Sequence, residues 1–216
     1  MCLRVLSWVT AHPDDDAGYN ALVAQLQGLV ARITESGSAQ QSGVVDVRAS
    51  AARKLELRAA MLAVAILHLG RIGARAARER HELAQMFRFR PSSNSFVAFQ
   101  NAAHVMYAEA VDHRDLLVKY GLSAAVLDQL GRQLEEFDAA MKLGQEGRTL
   151  HTAATRELRV LTKEAADLVR AMDARNRQRF QDDPQALQQW LSARTVLGIP
   201  RRAEPSAPGG DVRPAA

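Results

Sequence analysis

Apolar side chains recur along this chain at three- and four-residue spacing. Tyr19, Leu22, Leu26, Leu29 and Ile33 make one seam. Phe96, Phe99, Ala103, Met106, Ala110, His113, Leu117 and Tyr120 make a second. Leu127, Leu130, Leu134, Phe137 and Met141 make a third. Such spacing places each set on one face of a helix. Phe87–Arg90 alternates apolar and polar residues as a half-buried strand does, but no second β-type segment exists to pair with it. The expected fold is therefore all-α: an elongated antiparallel bundle of three to five helices with coiled-coil-like packing. It fills residues 1–197 and leaves a disordered Pro/Gly/Ala-rich tail at 198–216.

Punctuation between the seams sets the expected boundaries. A short helix over 3–11 stops before Pro13, because the residue preceding proline is pushed out of the α region. Asp14, Asp15 and Asp16 then offer caps for the next helix. "SGSAQQSG" at 36–43 reads either as a loop or as a weak continuation with Gly37, Gln40, Val44, Val47, Ala51 and Leu55 on the seam. A second long helix is expected over about 44–87, carrying Leu55, Leu62, Ile66, Leu69, Gly73, Ala76 and Leu83. Gly121 suits a left-handed helix stop. "GQEGRT" at 144–149 is a second ambiguous point. A continuous phase puts Gly144, Arg148, His151 and Thr155 on the seam. A three-residue shift puts Leu143, Leu150 and Ala154 there instead, with Thr149 as a cap. Asp183–Pro184 is a helix start.

The string "FRFRPSSNSFVAF" at 87–99 has no partner strand. It reads as the turn between two antiparallel helices, with its aromatics plugging the bundle end and its serines capping the next helix. "AAMLAVAILHLG" at 59–70 is about half the length of a membrane span. Apolar on every side, it reads as a buried bundle middle.

Composition supports helix: 47% of residues are hydrophobic and 5% aromatic, and much of the apolar share is alanine. The single cysteine, Cys2, fits a reducing compartment. With no signal-peptide pattern, the expected location is cytoplasmic. The net charge is +4. It is unevenly spread, with residues 44–90 carrying ten basic and four acidic side chains and the next segment, 91–143, four basic and seven acidic. Packed antiparallel, Arg71, Arg75 and Arg78 would face Glu109, Asp112 and Asp115. Left facing solvent, the arginines would instead attract a polyanion.

Chemistry is sparse. No Glu-x-x-His pair, His-Glu-x-x-His, Gly-x-Ser-x-Gly or phosphate-binding glycine loop occurs. Neither a metal nor a cofactor is implied, and no catalytic residue is nominated. His113 and His151 read as polar positions on apolar seams, which in a bundle fix register by hydrogen bonding. The expected role is a structural or protein–protein interaction scaffold without catalytic activity, acting by self-association or on a protein partner. The alternative is polyanion or nucleic-acid binding through Arg71, Arg75, Arg78, Arg88 and Arg90 and through Arg175, Arg177 and Arg179. A metal-binding bundle is the third reading.

Overall fold

A computed structural model describes residues 1–196. The tail expected at 198–216 lies outside the described residues. Among them the chain is all helix, with no strand. In order come α1 (Cys2–Ala11), α2 (Ala17–Met61), a π-helical turn (Leu62–Ile66), α3 (Leu67–Ala76), α4 (Leu83–Met86), α5 (Phe96–Asp112), α6 (Arg114–Lys119), α7 (Ala124–Arg179) and α8 (Pro184–Arg194). The backbone divides into two compact units. Met1–Thr34 joins Arg159 onward, and Glu35–Leu158 forms the other. α2 and α7 supply residues to both.

The helix starts follow the sequence closely. The Asp16 carboxylate accepts from the Tyr19 amide at 2.7 Å at the head of α2. Ser95 Oγ accepts from Ala98 N at 3.1 Å at the head of α5, and Asp183 accepts from Gln185 and Ala186 ahead of α8. Each side chain satisfies an amide that the first helical turn leaves unpaired. Gly121 has φ of 102°, the left-handed stop expected there.

Both ambiguous stretches are helical. Residues 36–43 belong to α2 and residues 144–149 to α7. Thr149 caps nothing; its hydroxyl donates to the Gln145 carbonyl within the helix. Neither phase holds through α7: Gly144 is buried and His151 half-buried but Arg148 is exposed, and Gly147 and Ala154 are buried whereas Leu143 and Leu150 are exposed. The reason is a close helix crossing. A Cβ on Gly43 would come within 2.5 Å of the Gly147 carbonyl, and one on Gly147 within 2.8 Å of the Gly43 carbonyl. Only glycine lets two backbones approach so nearly, and leucines at this level have no room inward. Polar groups flank the crossing. Gln40 Nε2 donates to Thr155 Oγ1 at 2.8 Å, and His151 Nδ1 donates to the Gln40 carbonyl at 3.3 Å.

Within the Glu35–Leu158 unit, α7 runs antiparallel to α2. Arg53 meets Glu136, Ser50 meets Gly144 and Gly43 meets Gly147. α7 is also antiparallel to α5, since Asp138 meets Gln100 and His104 and Gly131 lies under Tyr107. α2–α3 and α5–α6, however, run parallel. Arg58 donates to the Asn94 carbonyl and sits over the Phe99 ring, while Glu79 accepts from Lys119 and Tyr120. The expected antiparallel turn at 87–94 is therefore corrected.

The segment after α3 doubles back along that helix. Phe87 presses on Gly73 and Gly70, and Asn94 reaches Arg58. Phe87 is buried and Phe89 packs on Phe99 with ring centres 5.4 Å apart. These aromatics cover the bundle's side, not its end. The expected helix through 120 also breaks at His113, whose φ of −105° and ψ of 20° separate α5 from α6.

The π turn revises the apolar run at 59–70. The Leu67 amide bonds to the Leu62 carbonyl, five residues back, which inserts one residue into the helix repeat. Met61, Ala65, Ile66 and Leu69 face the core, but Val64 and Leu67 face out. The run is thus not buried on all sides. By length and composition the continuous helical stretch Ala17–Ala76 contains a segment apolar enough to cross a membrane, 39% of which is buried.

The other unit has its own core. Val5, Trp8 and Val9 of α1 pack with Tyr19 and Leu26 of α2, Ala165, Val169 and Met172 of α7, and Trp190 and Ala193 of α8.

Candidate interaction surface

Once the core is filled, α2–α3 retains an outward apolar stripe. Leu55 is 60% exposed and Leu67 55%, with Val64, Ala59 and Ala63 exposed beside them. Toward its C-terminal end the same helix bears Arg71 and Arg75, and the turn just beyond it Arg78, all exposed. α5–α6 presents a related pattern. Val97 and Val105 (61% exposed) lead to Val111, then to exposed Asp112 and Asp115.

The anticipated pairing of Arg71, Arg75 and Arg78 with Glu109, Asp112 and Asp115 is not made within the chain. Glu109 instead lies 3.8 Å from His113. None of the three arginines, and neither Asp112 nor Asp115, has a side-chain ion pair or hydrogen bond among the described residues. Arg88 and Arg90 are likewise exposed and unpaired. They rim a groove of about 490 Å³ between residues 85–92 and α5, whose walls include Met86, Phe89, Val105 and Glu109.

Arg175, Arg177 and Arg179, grouped with these in the sequence, differ in kind. Arg175 bonds Asp14 at 3.2 Å and approaches Asp16. Arg179 reaches Asp14 and the carbonyls of His12 and Pro13. Arg177 bonds Asp173 at 2.9 Å. Asp173 also accepts from the Trp190 indole at 2.8 Å and from Arg194. The Arg175 guanidinium, with the Asp16 amide, holds Asp14 below the usual carboxylate range. Burial pushes Asp173 up, but the Trp190 indole and Arg177 together hold it below its ordinary value. These arginines fasten the unit built on α1, α8 and the outer parts of α2 and α7.

The two seam histidines also separate. His151 is half-buried at the glycine crossing and bonded to α2, as a register-fixing residue would be. His113 sits at the break between α5 and α6, half-buried beside Glu109. No group of three or more metal-ligating side chains gathers among the described residues.

Sequence reasoning passed over Lys54. It is only 3% exposed, in the notch that Gly144 leaves, with Nζ 5.1 Å from the centre of the Phe96 ring. It has no carboxylate partner among the described residues. Burial, reinforced by the Arg148 charge, lowers its pKa below the usual lysine value. The only signal in the sequence was its position one residue before Leu55, on the face that Ser50 and Leu57 share.

No protein-family model, curated protein or solved structure matches this chain.

Proposed function

We propose that this protein is an interaction scaffold without catalytic activity of its own. The observation that carries the reading is the apolar stripe of α2–α3. Leu55, Val64 and Leu67 stand in solvent on a helix whose other face is fully packed. Contiguous exposed apolar surface of this kind marks association sites in proteins. Burying it would contribute about 25 cal/mol per Å². The test is capture of binding partners by the full chain carrying Leu55→Glu and Leu67→Glu, compared with wild type. The reading expects a specific interaction that the double variant loses while keeping its helical circular dichroism. Equal capture by both would refute it.

A second reading, polyanion binding, is favoured by one observation. Arg71, Arg75, Arg78, Arg88 and Arg90 are exposed and unpaired among the described residues, whereas Arg175, Arg177 and Arg179 hold acids of their own unit. The surface would therefore be confined to 71–90. A gel shift on mixed-sequence DNA and RNA tests it. Affinity should fall steeply with salt and vanish in Arg71→Ala/Arg75→Ala/Arg88→Ala but not in Arg177→Ala.

A further inference from the structure

We infer that the partner of this surface is a second copy of the chain, joined about a two-fold axis parallel to the helices of the Glu35–Leu158 unit. The α2–α3 face of each copy then meets the α5–α6 face of the other. This rests on the interaction reading above and names its occupant.

Arg71, Arg75 and Arg78 on one face, and Asp112 and Asp115 on the other, are exposed and unpaired among the described residues. Arg114 lies between the two aspartates in sequence and is exposed as well. The faces are complementary in sign, yet they do not meet within one chain.

Height along the bundle supplies the second part. Because α2–α3 and α5–α6 run parallel, residues at one level differ by a constant offset. Lys54 lies against the Phe96 ring, 42 positions on, Arg58 over the Phe99 ring, 41 on, and Glu79 bonds Lys119 and Tyr120, 40 and 41 on. By that offset Arg71 lies level with Val111 and Asp112, and Arg75 with Asp115. Leu55 lies level with Val97, and Leu67 is close to the level of Val105. Both faces are thus apolar at one end and charged at the other, in the same order and at the same heights.

A two-fold parallel to the helices preserves height. It places arginine against aspartate and leucine against valine without any axial slide, and it makes both contacts at once. A two-fold perpendicular to the helices would set the arginines against valines and leave the charges unmet. Repeating a single contact head to tail would leave one face of each type open, whereas the parallel two-fold closes both. Charge pairs at the upper level would fix register while the apolar level supplies area.

Sedimentation of the full chain tests this. Wild type should show a concentration-dependent monomer–dimer equilibrium, the monomer being 23.7 kDa, with the dimer weakened by salt. Arg71→Asp/Arg75→Asp should weaken the dimer by about tenfold or more, and so should Asp112→Arg/Asp115→Arg. The quadruple swap should restore it to within a few-fold of wild type, with unchanged helical content in all four proteins. A wild type that stays monomeric across the micromolar range overturns the inference. So does a swap that fails to restore dimers. If a monomeric wild type still captures a different protein through Leu55 and Leu67, the second copy is wrong and the interaction reading stands. If it captures nothing, both fall. Retention on nucleic acid or anionic vesicles without dimers, abolished by the arginine pair alone, would move the surface to a polyanion and overturn the inference.

Discussion

At the scale of single residues, two glycines on α2 make opposite demands. A Cβ at Gly28 meets nothing within 4 Å, whereas one at Gly43 runs into the Gly147 and His151 backbones at 2.5 and 2.8 Å. Gly28→Ala should therefore raise stability by about 0.5–1 kcal/mol, through helix propensity alone. Gly43→Ala should lower it by about 2–3 kcal/mol, because the backbone in the way has nowhere to yield. Denaturant unfolding of the two variants checks the signs. Lys54 is a different kind of liability, a buried ammonium set against the Phe96 ring with no carboxylate partner among the described residues. Lys54→Met should stabilise by about 1 kcal/mol, or about 2–4 °C in Tm. The pH dependence follows from the direction of the shift. With the folded pKa lowered, the unfolded chain binds the proton more tightly. Wild type should therefore gain stability as pH rises from the folded pKa toward 10.5, the ordinary lysine value. Lys54→Met should lack that rise, and a parallel slope in the two proteins would contradict this account.

At the scale of elements, the all-α class, the caps at Asp16, Ser95 and Asp183 and the stop at Gly121 were legible in the sequence. Each depends on a local backbone need that one residue type meets. What was not legible depended on what lay across from each helix. Leu143 and Leu150 looked like seam residues because they are large and apolar, but the crossing selects the small Gly144 and Gly147. Leu55 looked inward, but the structure turns it out and buries its neighbour Lys54. The parallel course of α3 and α5 was hidden because Phe87–Ser95 serves as a return segment and not a tight turn, and nothing in its composition states its path in space. The candidate surface was half legible. The cluster of Arg71, Arg75 and Arg78 was visible, but not that it stays unpaired, nor the apolar stripe below it, whose Val64 and Leu67 the π turn carries outward. That turn yields a sharp contrast between near neighbours. Leu67→Ala should change stability by less than about 0.5 kcal/mol, as an exposed position does, while Leu69→Ala should cost about 2–5 kcal/mol. Equal costs would mean that the π turn does not set the face.

At the scale of the molecule, the two units differ in how they use charge. The unit holding α1 and α8 pairs its arginines with Asp14 and Asp173, both held below the usual carboxylate range. Groups with depressed folded pKa values contribute stability fully above the unfolded value, about 3.8 here, and lose it as pH falls through the folded one. Both tryptophans of the chain, Trp8 and Trp190, lie in this unit's core, so their fluorescence reports it selectively. On acidification the tryptophan transition should precede the loss of total helix, and Asp173→Asn should flatten the tryptophan response. Coincident transitions would argue that the two units unfold as one.

The Glu35–Leu158 unit leaves Arg71, Arg75, Arg78, Asp112 and Asp115 unpaired among the described residues, and the central claim is that a second copy pairs them. Cysteine cross-linking in a Cys2→Ser background reads that arrangement most directly. A mixture of Leu67→Cys with Val105→Cys should form a disulfide-linked dimer under mild oxidation, while each variant alone should form little. Efficient cross-linking of Leu67→Cys with itself, or none in the mixture, would contradict the account.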